Sequence, residues 1–221
     1  MHGVEPGLLL DQEALHERRD ADDLPDWAVA HYDSFREGML GERDGAPFPC
    51  YFGVESEREG TNRYTFVPST TRPEALFGLR RTLLRYLDEF RGYDGLSPLV
   101  AFFRPDGWGN DDEPAALSEA DYHERLWNLL EFLHVHDPEP WPEDIPTDPD
   151  HPKWEFCFAG TPIFPTCRAP FYDVRKSRYC PVGLEITFQP RALFDGLTAD
   201  TAAGQHARRA IQARIEEYDG V

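Results

Sequence analysis

A cysteine among aromatic residues is the first feature of this sequence that could carry chemistry. Cys50 follows Pro49 and precedes Tyr51, Phe52 and Gly53. A thiolate positioned by a rigid proline and kept dry by apolar neighbours could be the axial ligand of a haem iron. Gly53 would let a flat macrocycle approach the backbone. The alternative is a buried cysteine at the start of a strand, and the sequence alone favours that alternative.

Two histidines offer a second candidate ligand for iron. His134 lies four residues after Leu130, near the predicted end of a helix, and is followed by His136. A neutral imidazole is the commonest metal ligand among side chains and also binds haem iron. The alternatives are a histidine stabilised by the helix dipole and a hydrogen-bonded pair of His136 with Asp137. The axial ligand is therefore open between Cys50 and His134.

A dense basic tract stands out in a chain that is otherwise acidic. Arg175, Lys176 and Arg178 follow one another closely, and Arg168 lies just before them. A guanidinium group binds a carboxylate through two parallel hydrogen bonds. Arg175 and Arg178 could therefore hold haem propionates or the carboxylate of an amino acid. A solvated loop that balances local acids is the alternative.

An aromatic strand is the last candidate for a ligand wall. Trp154, Phe156 and Phe158 alternate along the chain, so they share one face of a strand. Such a face is more often part of a core, but Trp154 would form a wall beside a planar ligand. The motifs of serine hydrolases, zinc peptidases, P-loop NTPases and dinucleotide-binding proteins are absent.

The charge balance excludes some partners. Among 221 residues, 41 are Asp or Glu and 22 are Lys or Arg, which gives a formal net charge of -19. Such a surface repels phosphate backbones, so we expect no nucleic-acid partner. Because only Lys153 and Lys176 are lysines, we interpret the composition as halophilic, a protein kept hydrated in concentrated salt. An ordinary acidic cytosolic protein is the alternative.

The chain lacks the signals of membrane insertion and secretion. It has no run of about 18 apolar residues, so no membrane span is predicted. Its N-terminus has no basic segment, and we expect a cytoplasmic protein. The cysteines Cys50, Cys157, Cys167 and Cys180 form no CxxC pair, which predicts free thiols. A redox-sensing protein that uses the last three is a weaker hypothesis.

The elements that must position these residues alternate irregularly between helix and strand. This pattern predicts an α+β fold, with a mixed, largely antiparallel sheet flanked by helices. We expect a flexible N-terminal lead-in over residues 1–25 and a single domain over 26–221. The predicted strands are 47–55, 63–67, 98–104, 154–158, 163–168 and 183–188. The predicted helices are 26–40, one from Pro73, one from Ser118 to about His136, and one from about Ala199, with a proline-rich loop at 137–153.

The order of these segments resembles that of the YqcI/YcgG family. The likeness runs from about residue 26 to 220 and rests on an ordered set of segments rather than on one motif. The matching segments are FPCYFGVESEREGTNRYTFV, LLEFLHVHD, HPKWEFCFAGTPIF, YDVRKSRYCPVGLEITFQP and ARRAIQARIEEYD.

The resemblance implies a function that composition and spacing do not show. Several members of the family are haem-dependent N-oxygenases that oxidise nitrogen in amino acids. The implied activity is that of a monooxygenase-type oxidoreductase acting on an amine or guanidine, with haem as cofactor and a ferredoxin-like electron donor. Five candidate residues fall on the family's matching segments, namely Cys50, His134, Trp154, Arg175 and Arg178. The resemblance does not choose between Cys50 and His134 as the axial ligand. A non-catalytic domain that binds a small anion or haem is the alternative.

Overall fold

A five-stranded mixed sheet lies at the centre of the molecule in the computed structural model, which describes residues 5, 7–43, 45–108, 117–198 and 200–220. In chain order the strands are β1 (Glu42–Arg43), β2 (Ala46–Pro47), β3 (Arg63–Val67), β4 (Leu99–Phe103), β5 (Phe156–Phe158), β6 (Thr161–Arg168) and β7 (Glu185–Pro190). The order in the sheet is β3-β4-β7-β6-β5, while β1 and β2 form a separate small pair. Only the β3–β4 pairing is parallel among the described strands. The predicted α+β class with a mixed, largely antiparallel sheet is confirmed.

Six α-helices flank the sheet within the described part of the chain. They are α1 (Gln12–Asp20), α2 (Asp26–Leu40), α3 (Tyr51–Glu59), α4 (Pro73–Glu89), α5 (Glu119–Val135) and α6 (Ala202–Asp219). Short 3-10 turns follow at Phe90–Gly92, Lys176–Arg178 and Arg191–Phe194. The predicted start of the last helix at Ala199 lies outside the described residues. No described helix is long and apolar enough to cross a membrane.

Two local signals explain where the longest helices begin. Pro73 occupies the first turn of α4, where its missing N–H costs nothing. Ser118 and Asp121 form a reciprocal capping box at the start of α5, in which each side chain accepts from the other's backbone N–H. Both starts agree with the sequence prediction.

The two faces of the sheet are covered differently. Helices α4 and α5 pack Leu83 and Leu129 against one face of the sheet. Helices α1 and α2 cover β3 and β4 on the opposite face, where Phe35 packs against Phe102. On that second face β6 and β7 carry polar side chains, including Thr166 opposite Thr187. The polar half of this face is the floor of the site described below.

The prediction of a strand over residues 47–55 is wrong. Residues from Tyr51 onward form α3, and Cys50 is the extended residue that caps its N-terminus. The fully buried side chains of this helix are polar, namely Ser56 and Glu57. An apolar periodicity of 3.6 residues was therefore absent, and the short aromatic run looked like a strand.

The N-terminal segment 1–25 contains a helix that packs into the core, whereas residues 137–153 form a loop. Residues 1–25 include α1, whose Leu15 is completely buried in the core. Leu10 forms an antiparallel bridge with Tyr64 of β3. The buried residues Leu10 and Leu15 are too few and too widely spaced for the sequence to predict a core helix here. The loop over 137–153 contains neither helix nor strand, as its prolines predicted.

Candidate functional site

A cavity of about 820 Å³ opens over the polar half of the sheet. This volume falls within the range of small-molecule and cofactor sites, roughly 300–1,000 Å³. Its floor is made by β4, β6 and β7, and its walls by α3, α6 and two loops. The lining residues used below are Cys50, Phe52, Gly53, Lys153, Trp154, Glu155, Thr166, Arg168, Arg175, Arg178, Thr187, Gln189, Arg191, Arg208, Ile211 and Ile215.

Cys50 reaches the cavity from the N-terminus of α3. Its pKa is raised mainly by burial, while the backbone N–H groups of Gly53 and Phe52 and the charges of Arg178 and Arg214 pull the pKa down. Because a helix leaves its first amides without backbone partners, the N–H groups of Phe52 and Gly53 are available near the sulfur. The arrangement favours a thiolate once a positive ion shares the sulfur.

Gly53 keeps open the space beside that sulfur. A Cβ atom at this position would lie 3.9 Å from Sγ of Cys50 and 3.7 Å from Sδ of Met39. Both contacts are ordinary van der Waals distances, so a side chain there would fill the space next to the sulfur. That a flat ligand comes close to the backbone at Gly53 stays a prediction.

A buried carboxylate fixes the position of α3. Glu57 is completely buried, and its oxygens accept hydrogen bonds from Asn62 Nδ2 at 2.9 Å and from the hydroxyl of Tyr64. Arg36 of α2 forms an ion pair with the same carboxylate at 3.2 Å. Because α3 is tied to both α2 and β3, Cys50 at its first turn is held over the sheet.

The basic tract lies on the opposite wall, in the turn that precedes Tyr179. Arg178 is half-buried, and it has no ion-pair partner among the described residues. Burial and the neighbouring charge of Arg175 lower its pKa. Ser177 between them donates from its N–H and its hydroxyl to the carboxylate of Asp219, at 2.7 and 2.9 Å. This buried joint ties the basic tract to the end of α6.

The cavity has the opposite charge to the rest of the molecule. Among the described lining residues, the cations are Lys153, Arg168, Arg175, Arg178, Arg191 and Arg208, and the acid is Glu155. Glu155 pairs with Arg191 at 3.1 Å, and Arg168 pairs with the buried Glu185 at 2.7 Å. The remaining cations face the cavity without a described carboxylate partner. In a chain of net charge -19, this concentration of cations makes the cavity a local region of positive charge.

The structure brings together four of the five predicted site residues. Cys50, Trp154, Arg175 and Arg178 all line the cavity. His134 does not line it: its ring is exposed at the end of α5 and lies edge-on against Trp141, 5.4 Å between centroids. Of the two candidate axial ligands, Cys50 is the one that reaches the cavity.

Several lining residues were missed by sequence reasoning. Thr166, Thr187 and Gln189 form the polar floor because they alternate with core residues on β6 and β7. Arg191 and Arg208 come from distant segments, and only the fold brings them to the basic tract. Ile211 and Ile215 of α6 form an apolar wall of the cavity.

The three other cysteines differ from Cys50. All four cysteines are free thiols, as predicted. Burial raises the pKa of Cys157, Cys167 and Cys180 to about 12. A redox-sensing thiol needs a lowered pKa and access to solvent, so these three are poorly suited to that role.

Comparison with known proteins identifies relatives along nearly the whole chain. YcgG and YqcI of Bacillus subtilis (strain 168) are each 35% identical to it, over 202 and 199 residues, which is 90% of this chain and 76% and 75% of the relatives. DcsA of Streptomyces lavendulae, provisionally named N(omega)-hydroxy-L-arginine synthase, is 32% identical over 212 residues, covering 94% of this chain and 76% of DcsA. No solved structure matches the chain. The family model of YqcI/YcgG matches residues 35–221, and the chain therefore belongs to the YqcI/YcgG family.

Proposed function

We propose that this protein is a haem-dependent oxygenase that oxidises a nitrogen of an amino-acid-type guanidine or amine. The observation that carries the proposal is Cys50, which faces a large cation-rich cavity from a helix N-terminus. The relative DcsA supports a guanidine as the oxidised group, because its provisional name describes the hydroxylation of arginine.

The residues of the cavity fit an anionic, planar ligand. Cys50 would bind the iron, and the N–H groups of Phe52 and Gly53 would stabilise the negative charge of its sulfur. Trp154 and Phe52 offer aromatic surface for the macrocycle, and the open space at Gly53 allows close approach. When bound, haem would supply the activation of dioxygen.

The cations and the polar floor of the cavity would bind different groups of the ligands. Arg175 and Arg178 would hold the haem propionates or the substrate carboxylate through charge-assisted hydrogen bonds. The guanidine or amine of the substrate would lie among neutral acceptors such as Thr166, Thr187 and Gln189. These groups orient the nitrogen without placing a second cation against an arginine.

The balance of the reaction requires an electron donor. Forming one N–O bond from dioxygen leaves the second oxygen atom as water, and this takes up two protons and two electrons. We propose that a small ferredoxin-like protein supplies the electrons. The two protons come from solvent, and the inserted oxygen atom comes from dissolved dioxygen.

Reconstitution with haem tests the proposal directly. Protein purified with haem supplied is expected to show a Soret band and a ferrous–CO spectrum typical of thiolate ligation. Cys50→Ala should lose that spectrum, and Cys50→Ser should shift it, because the soft sulfur ligand is gone. His134→Ala is the matched control and should keep the spectrum, since His134 is exposed away from the cavity.

Two outcomes would contradict the proposal at different levels. Folded wild-type protein that takes up no haem would overturn the cofactor. Haem-loaded protein that forms no N-oxidised product from arginine, lysine or related guanidines, with ferredoxin and ferredoxin reductase present, would instead favour the non-catalytic binding domain.

A further inference from the structure

A second cluster of potential ligands lies beside the cavity, on the same face of the sheet as its floor, and the proposed haem chemistry does not use it. His31 of α2, Cys180 in the segment before β7 and Glu185 of β7 each offer one ligand atom, and these atoms lie within 4.8 Å of one another. All three residues are buried. Burying an imidazole, a thiol and a carboxyl group together is unfavourable unless they bind one another or a common partner.

The imidazole of His31 is in the form that binds metals. Its Nε2 lies 2.9 Å from the carbonyl oxygen of Phe103, and since a carbonyl only accepts, Nε2 carries the proton. Nδ1 is therefore unprotonated, and it lies 3.9 Å from Sγ of Cys180.

The carboxylate of Glu185 has one oxygen without a partner. Oε1 accepts a hydrogen bond from Nη1 of Arg168 at 2.7 Å. Oε2 is completely buried and has no hydrogen-bond partner in the described part of the chain. Native structures rarely leave such an atom unpartnered, and an absent ion is one of the few explanations. This oxygen belongs to the same cluster as the unprotonated Nδ1 of His31 and the thiol of Cys180, which hydrogen-bonds to that nitrogen.

We propose that His31 Nδ1, Cys180 Sγ and Glu185 bind a single zinc ion. Zinc binds nitrogen, sulfur and carboxylate oxygen at about 2.0–2.3 Å in tetrahedral geometry, so its ligands lie roughly 3–4 Å apart. The N–S separation of 3.9 Å matches that spacing. On binding, the thiol proton of Cys180 is released to solvent, and the thiolate and carboxylate together neutralise the dication.

Arg168 is the outer partner of the proposed ion. Its guanidinium orients Glu185 through Oε1 and also donates from Nη2 to the carbonyl of Tyr179 at 2.9 Å. Outer hydrogen bonds of this kind hold metal ligands in place. The ion would join α2 to β7 next to Arg168, which pairs with Glu185 and lines the cavity.

Metal analysis of the haem-free protein tests the proposal. Protein produced with zinc and dialysed against metal-free buffer is expected to retain about one zinc ion per chain. Cobalt exchanged into the site should show a thiolate-to-metal charge-transfer band. Cys180→Ser should lose the band and weaken zinc binding at least about 10-fold. Cys157→Ser is the matched control, because Cys157 is a buried thiol outside the cluster, and it should leave both unchanged.

The test separates this proposal from the haem proposal. Cys50→Ala removes the proposed iron ligand and should leave zinc content and the cobalt band intact. Folded wild-type protein that retains no zinc and gives no cobalt band would overturn the zinc site, even if Cys180→Ser fails to fold. Zinc retained equally by Cys180→Ser would also overturn it, since that metal would be bound elsewhere.

Discussion

At the scale of the residue, the surroundings of each cysteine determine the chemistry of its thiol. Cys50 sits at a helix N-terminus and faces a cavity, whereas Cys157 and Cys167 lie on strands and are buried or half-buried. The amides of α3 and nearby arginines offset part of the burial effect on the pKa of Cys50. At Cys157 and Cys167 burial raises the pKa to about 12, so both are neutral thiols at physiological pH.

Thiol labelling of the native protein checks this difference. The pKa of about 12 leaves Cys157 and Cys167 almost entirely protonated, so at pH 8 they should react with iodoacetamide more than about 10³-fold slower than a free cysteine. Peptide mass spectrometry gives the rates, and urea-unfolded protein is the control in which all four thiols react. Fast labelling of Cys157 or Cys167 in the native protein, or a disulfide formed in mild oxidant, would contradict this prediction and support the redox-sensing hypothesis.

At the scale of the element, the end of α6 determines where the basic tract lies. The Lys176–Arg178 turn has only three residues, too few to hold itself against the cavity. The Asp219 carboxylate accepts two hydrogen bonds from the buried Ser177 at the centre of that turn. The arginines on either side of Ser177 thus depend on a residue that lies outside the cavity.

Breaking that joint should weaken ligand binding along with stability. Asp219→Ala leaves the N–H and hydroxyl of Ser177 without partners, which should cost about 1–3 kcal/mol in urea unfolding. The loosened arginines should also weaken haem binding, measured by spectrophotometric titration of the folded variant. Asp219→Asn keeps one acceptor and should be intermediate, while the exposed Glu217→Ala should match wild type. A destabilised Asp219→Ala protein with unchanged haem affinity would show that Asp219 does not position the arginines.

The same scale shows what the sequence could predict. Strands β3, β4, β6 and β7 and helices α2, α4 and α5 follow from alternation, apolar stripes and caps that act within a few residues. Helix α3 does not, because its buried face is the polar pair Ser56 and Glu57, whose partners come from other elements. Cys50 and Arg178 were named from local patterns. Their meeting with Arg191 and Arg208 depends on tertiary contacts that local patterns do not contain.

At the scale of the whole molecule, an acidic surface surrounds a basic cavity. The net charge of -19 makes the folded state repel itself, because folding brings the surface carboxylates closer together. Screening falls to a range of about 3 Å at 1 M salt, compared with about 10 Å at 0.1 M. Surface repulsion should therefore fade with salt, while the buried pair of Arg168 and Glu185 is screened much less.

Stability should consequently rise with salt, as the composition predicts for a protein adapted to brine. Between 0.1 and 1 M NaCl we expect the free energy of unfolding in urea to increase by at least about 1 kcal/mol, equivalent to about 2–4 °C in Tm. A variant with the exposed Glu13, Glu131 and Glu216 changed to Lys provides the matched comparison. Each substitution changes the charge by two, so three of them reduce the net charge from -19 to -13.

The variant separates charge screening from the general stabilising effect of salt on apolar burial. Screening predicts that the variant is more stable than wild type at 0.1 M NaCl and gains less from added salt, because less repulsion remains to be screened. Strengthened apolar burial acts on the same core in both proteins and predicts equal gains. Equal gains, or no gain in wild type, would mean that the carboxylates do not limit stability and that the composition is that of an ordinary acidic protein.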